Sequence, residues 1–122
     1  MRNFRELEIW KRSIDLVDQI YQHSNGLPDN EKYGLISQIR RCAVSVPSNI
    51  AEGCSRKTNK DLARFLEIAL GSSFELETQL IIIARSNMLE KKIVEALVDE
   101  LNQIQRMINS FRSKIKEQSP NH

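Results

Sequence analysis

Apolar side chains recur every three or four residues along almost the whole chain, which is the spacing of one helix face. Leu7, Trp10, Ile14, Val17 and Tyr21 predict a first helix over residues 4–24 with these five on its inner stripe. Asn25-Gly26-Leu27-Pro28 ends it. Asp29 or Asn30 can cap a second helix over 30–53, with apolar positions Leu35, Ile39, Cys42 or Ala43, Val46 and Ile50 and with Gly53 as its stop. Thr58-Asn-Lys-Asp61 gives a capping-box-like start to a third helix over 59–86. In it Leu62, Leu66, Ala69, Ser73, Leu76, Leu80 and Ile83 form an unbroken heptad seam. Asn87-Met-Leu-Glu90 offers a cap for a fourth helix over 88–116, carried by Ile93, Leu97, Leu101, Ile104, Ile108, Phe111 and Ile115, with residues 117–122 frayed.

Four amphipathic helices of this length, each about 30–43 Å long, joined by short connections, specify an all-α, up-and-down four-helix bundle in a single domain over 1–122. Pro47 falls inside the second helix, where its ring removes a hydrogen bond and strikes the carbonyl four residues back, that of Ala43. The expected result is a bend near Pro47, with Ser45, Ser48 and Asn49 committed to freed backbone groups. Gly71, Ser72 and Ser73 in the third helix are small enough to let a neighbour approach closely, at the bend of the second helix.

Composition narrows this picture without redirecting it. Of 122 residues, 40% are apolar and 6% aromatic, with four glycines and three prolines, which disfavours strand-rich folds. No apolar run is long enough for a membrane span and no leader opens the chain, so the expected location is the cytoplasm. Cys42 and Cys54 lie roughly 18 Å apart on a continuous helix, beyond disulfide reach, and read as free thiols. With only His23 and His122, no metal-ligand spacing exists and no cofactor is expected.

Charge adds a candidate surface. The net charge is +2, but Arg40, Arg41, Arg56, Lys57, Lys60 and Arg64 gather around the second helix, its connection and the next helix start. Such a cluster holds phosphates without reading bases. The plain alternative is a solvated face. Arg56, Lys57 and Lys60 are the stronger candidates, beside a helix N-terminus whose amides favour anions. Arg41 has a competing structural role, as an ion-pair partner of Glu75 or Glu77. Those two acids project about 160° apart on a helix and cannot serve one substrate as acid and base. Ser45 and Ser48 lack a histidine base, so no catalytic residue is assigned. Phe4, Trp10 and Tyr21 fit bundle core or subunit contact better than base stacking. Ile81, Ile82 and Ile83 cannot all face one core, which points to burial against another copy of the chain.

The motif order carries a resemblance. Leu7-Glu-Ile-Trp10, Leu27-Pro28 before Glu31-Lys-Tyr-Gly-Leu35, Gln38-Ile-Arg-Arg41 running into Ser45-Val-Pro-Ser-Asn-Ile-Ala-Glu-Gly53, Phe65-Leu-Glu-Ile-Ala69 and Gly71-Ser-Ser-Phe-Glu-Leu-Glu-Thr-Gln79 follow one another in order. Together they resemble the four-helix-bundle family named for proteins encoded inside intervening sequences of 23S rRNA genes. That family includes the accessory variability determinant of diversity-generating retroelements. The resemblance covers residues 4 to about 112 and implies a cytoplasmic protomer that assembles into a ring, typically a homopentamer. It also implies a basic surface for nucleic acid or a reverse transcriptase partner, and no enzyme activity. The competing reading is a protein-interaction scaffold with no nucleic-acid role; a helical nuclease is weaker still.

Overall fold

A computed structural model describes residues 2–118. It contains four long helices, α1 (Glu8–Ser24), α2 (Ser37–Cys54), α3 (Asn59–Arg85) and α4 (Lys91–Glu117). They pack as α1–α2, α2–α3, α3–α4 and α1–α4, the four seams of an up-and-down bundle in which α1 and α3 are diagonal. Among the described residues there is no strand, and no helix is long and apolar enough to cross a membrane.

The α3 seam follows the heptad pattern in full: all seven of its predicted residues are buried. Thr58 caps the helix by accepting the Asp61 N–H at 3.1 Å. Ser73 is tolerated at the centre because its hydroxyl donates to the Leu70 carbonyl at 2.6 Å.

In α1 the inner stripe differs from the predicted one. The buried residues are Ile9, Ser13, Leu16, Ile20 and Ser24, whereas Leu7, Trp10, Ile14 and Val17 are half-buried and Tyr21 is exposed. Two serines therefore occupy core positions. Their hydroxyls donate to the carbonyls of Ile9 and Tyr21, so each is buried without an unpaired polar group. The helix also begins later than expected. Phe4–Glu6 forms a separate 3₁₀ turn capped by Asn3, and Leu7 is extended before α1 starts at Glu8.

A 3₁₀ turn at Asp29–Glu31 and a π turn at Lys32–Ile36 precede α2. Neither Asp29 nor Asn30 caps α2: Pro28 is the cap position of the 3₁₀ turn, and α2 itself starts at Ser37 rather than 30, with Ile36 in its cap position and no side-chain cap. The helix continues without interruption through the buried Pro47. Asn49 Nδ2 donates to the Ser45 carbonyl at 2.8 Å and to Ser45 Oγ at 2.9 Å. Ser45 Oγ meets Ser72 Oγ at 2.8 Å across the α2–α3 seam. Two of the three polar residues near Pro47 thus form one small network, in which the carbonyl gaining a side-chain donor is that of Ser45, not Ala43. Ser48 is exposed and makes no side-chain hydrogen bond among the described residues.

Gly53 is not a stop signal. Its φ is negative and α2 runs on to Cys54. A Cβ there would sit 2.9 Å from Phe65 Cβ and 3.0 Å from Leu62 Cδ1, so the glycine allows a close approach of α2 to α3. Gly71 has open space around it, and the small-residue approach on α3 belongs to Ser72 and Ser73.

Asn87, in the left-handed region at φ 58°, turns the chain from α3 toward α4, which starts at Lys91 rather than 88. Val94, Leu97, Leu101, Ile104, Ile108 and Ile115 are buried along α4, while the predicted Ile93 and Phe111 are half-buried. Arg12 joins α1 to α4 through a two-pronged contact with Glu100, at 2.9 and 2.8 Å, reinforced by Gln103. The Glu100 contact raises the Arg12 pKa further. The expected fraying of the chain end concerns residues largely outside those described; Glu117 is still helical.

Candidate nucleic-acid interface

Because successive helices alternate in direction, one end of the bundle collects the first residues of the chain, the α2–α3 connection and the last turns of α4. The Arg2 N–H donates to the Cys54 carbonyl at 3.1 Å, fastening the opening segment onto the end of α2. From there the Arg2 guanidinium lies 5.4 Å from the centre of the Phe111 ring. Arg5 lies 4.9 Å from Phe4, which in turn meets Trp10 edge to face at 5.1 Å. Arg56 and Arg64 both lie over Phe65, at 4.7 and 5.2 Å. Lys57 and Lys60 are exposed beside them.

Some of this charge is internally balanced. Arg56 pairs with Glu52 one turn back, and Glu67 receives Arg112 and Lys116, each at 3.0 Å. The Lys116 contact, then that of Arg112, outweighs partial burial and holds the Glu67 carboxyl below its ordinary range. Lys57 and Lys60 make no ion pair among the described residues.

Arg56, Lys57, Lys60 and Arg64 are brought together at this end. Arg40 is not with them. Fourteen residues of helix separate it from Cys54 at the end of α2, about 21 Å at the α-helical rise, with Arg56 beyond that end. Its Nε donates to Ser24 Oγ at 2.8 Å, its Nη2 to Asn25 Oδ1 at 2.9 Å, and the guanidinium stacks 4.8 Å from the Tyr21 ring. Those contacts tie α2 to the end of α1.

The expected pairing of Arg41 with Glu75 or Glu77 is absent. Arg41 is exposed and its side-chain partner is Gln38 on the same helix, at 3.4 Å. The residue facing α3 is its neighbour Cys42, whose thiol donates to Glu75 Oε2 at 3.3 Å. One step along a helix turns a side chain about 100°, enough to take Arg41 out of the seam. Glu77 faces α4, accepting from Asn102 Nδ2 at 3.1 Å and Gln105 Nε2 at 2.9 Å. Both acids are therefore interhelical hydrogen-bond acceptors. Burial, reinforced by Glu75, pushes the Cys42 thiol pKa up, and burial does the same for Cys54. Both cysteines are free and buried.

Of the three consecutive isoleucines, Ile83 belongs to the core and is fully covered, so it is not available to another chain. Ile81 and Ile82 stay almost half exposed, at 45% and 47%. Phe74 and Ile68 extend this uncovered apolar surface along α3.

Sequence reasoning missed Arg2, Arg5, Phe65 and Phe111 at the basic end. The adjacent Arg64-Phe65 pair and the Arg-flanked Phe4 were visible, but only helix packing shows that residues 2–5 meet those near 55 and 111.

The fold is similar to the crystal structure of a protein of unknown function from the S23 ribosomal protein family of Bacteroides thetaiotaomicron. The TM-score is 0.80 at 22% sequence identity, covering 85% of this chain and 97% of that one. No curated protein sequence matches the chain. The model of the 23S rRNA-intervening sequence protein family matches residues 5–110, and the chain belongs to that family.

Proposed function

We propose that this protein is a non-enzymatic, cytoplasmic, ring-forming helical bundle that binds nucleic acid through its basic end. One observation carries the reading: Arg2, Arg5, Arg56, Lys57, Lys60 and Arg64, scattered in sequence, share one end of the bundle. Cations so grouped hold a phosphate backbone in a salt-dependent, sequence-independent manner. A reverse transcriptase as a further partner rests on the family resemblance alone.

The assembly is supported by two unlike apolar faces. α3 exposes Phe74, Ile81 and Ile82, while the diagonal α1 leaves Trp10, Ile14 and Val17 half covered beside the exposed Tyr21. Unlike faces on opposite corners favour head-to-tail contacts, which close into a ring when the rotation permits; the family resemblance implies a ring typically of five copies.

Fluorescence anisotropy with labelled nucleic acids across a salt series tests the binding. Affinity is expected to fall with salt, and neutralising Arg56, Lys57 and Lys60 to weaken it and to reduce the salt slope by about 1 for each phosphate no longer held. No binding at low salt, or binding indifferent to those three substitutions, overturns it. Light scattering tests the ring: Ile82→Asp is expected to release single copies, and a wild-type protein that is already a single copy overturns assembly.

A further inference from the structure

Phosphate attachment alone calls for exposed ammonium groups such as those of Lys57 and Lys60. The arginines at this end do something additional, since Arg2, Arg5, Arg56 and Arg64 each lie over a phenylalanine ring. Two of the four join sequence neighbours, Arg5 with Phe4 and Arg64 with Phe65, while Arg2 reaches Phe111 and Arg56 reaches Phe65 only through the fold. Phe65 carries two of them.

Phe65 and Phe111 are both half-buried, and a ring face that a partly exposed guanidinium overlies is one another planar group can take when the guanidinium swings away. Arg56 retains 41% of its side-chain exposure and is tethered only to Glu52, itself exposed, so it can swing to a phosphate while a base replaces it on the ring. Phe65 is a rigid platform for this, because its Cβ lies against Gly53 where α2 and α3 touch. Phe111 offers a second platform on α4 beneath Arg2.

We infer that the basic end selects single-stranded nucleic acid, with bases stacked on Phe65 and Phe111 and phosphates held by the arginines displaced from those rings, together with Lys57 and Lys60. This deepens, and rests on, the nucleic-acid reading above. The discrimination follows from which faces a base can offer. In a duplex both faces of every internal base are covered by neighbours, whereas an unpaired base can leave its stack for an aromatic ring, a contact tolerant of any sequence.

The test uses the full chain with a fluorescein-labelled oligouridylate, an oligoadenylate and a short duplex, titrated at the same low salt concentration. Single strands are expected to bind at least about tenfold more tightly than the duplex, the change that removing one base–aromatic stack produces. Phe65→Leu and Phe111→Leu keep apolar bulk and net charge, and each is expected to weaken single-strand binding about tenfold with the duplex affinity unchanged. Arg56→Lys keeps the charge and is expected to leave single-strand binding within about threefold, because the base takes the ring itself. Circular dichroism establishes that each variant is folded. Equal affinity for duplex and single strands, or leucine variants that bind like wild type, overturns the stacking inference and leaves the electrostatic reading standing. No binding of any probe overturns both.

Discussion

Gly53 and Phe65 are in backbone-level contact: a Cβ on the glycine would come within 2.9 Å of Phe65 Cβ, closer than real Cβ atoms pack. The atom in the way is fixed to the α3 backbone and cannot rotate aside. Alanine ordinarily stabilises a helix relative to glycine by roughly 0.5–1 kcal/mol, and here the sign reverses. Gly53→Ala is expected to destabilise by about 1–3 kcal/mol through overpacking. Gly71→Ala, with nothing within 4 Å, is expected to stabilise by about 0.5–1 kcal/mol. Urea unfolding of the two variants, read as midpoints at constant slope, checks both signs.

How much of the fold is readable from the residues alone varies by helix. The α3 seam is legible to the residue because each position is apolar or a small residue at regular heptad spacing. The α1 stripe is displaced by one position because its core includes Ser13 and Ser24, whose burial depends on hydroxyl bonds to their own helix. Hydrophobic periodicity cannot register a satisfied serine, so the larger Trp10, Ile14 and Tyr21 draw the stripe toward themselves. The basic end is half legible. Arg56 to Arg64 are close in sequence, whereas Arg2 and Phe111 arrive through tertiary packing, and Arg40 leaves because a helix is long.

The two thiols give a prediction about alkaline pH. Burial, with Glu75 adding at Cys42, raises both folded pKa values above the ordinary 9.0. The unfolded chain therefore loses these protons first as pH rises. The stability linked to them is fully present below pH 9.0 and is lost as pH climbs through the folded values. Thermal midpoints should fall above that pH, and Cys42→Ala should flatten the fall. In the folded state at neutral pH both thiols should resist alkylation, reacting only after denaturant is added, which mass spectrometry of iodoacetamide-treated protein checks.

Glu67 acts in the opposite direction. Lys116 and Arg112 lower its folded pKa below 4.5, so the bridge contributes stability above the unfolded value and loses it as pH falls through the folded one. Glu67 and Lys116 are exposed and Arg112 partly so, and Glu67→Gln is expected to cost only about 0.2–1 kcal/mol at neutral pH. The difference from wild type should vanish in acid and shrink in high salt, both measurable by chemical denaturation.

Glu100→Gln is expected to cost about 1–2 kcal/mol, because it removes one of the two charge-assisted prongs holding Arg12. A double-mutant cycle with Arg12→Met isolates the coupling. Reduced stability with no coupling between the two positions would show that they do not act through each other.

That Arg12–Glu100 clasp sits on the one seam that joins remote stretches of chain, since every other helix packs against its immediate successor. Three hairpins can therefore zip up locally, and only the closure of α1 on α4 must wait for a long loop to be drawn in. A topology of this low contact order assembles in microseconds to milliseconds, with the last joint to form also the first to spring open under strain.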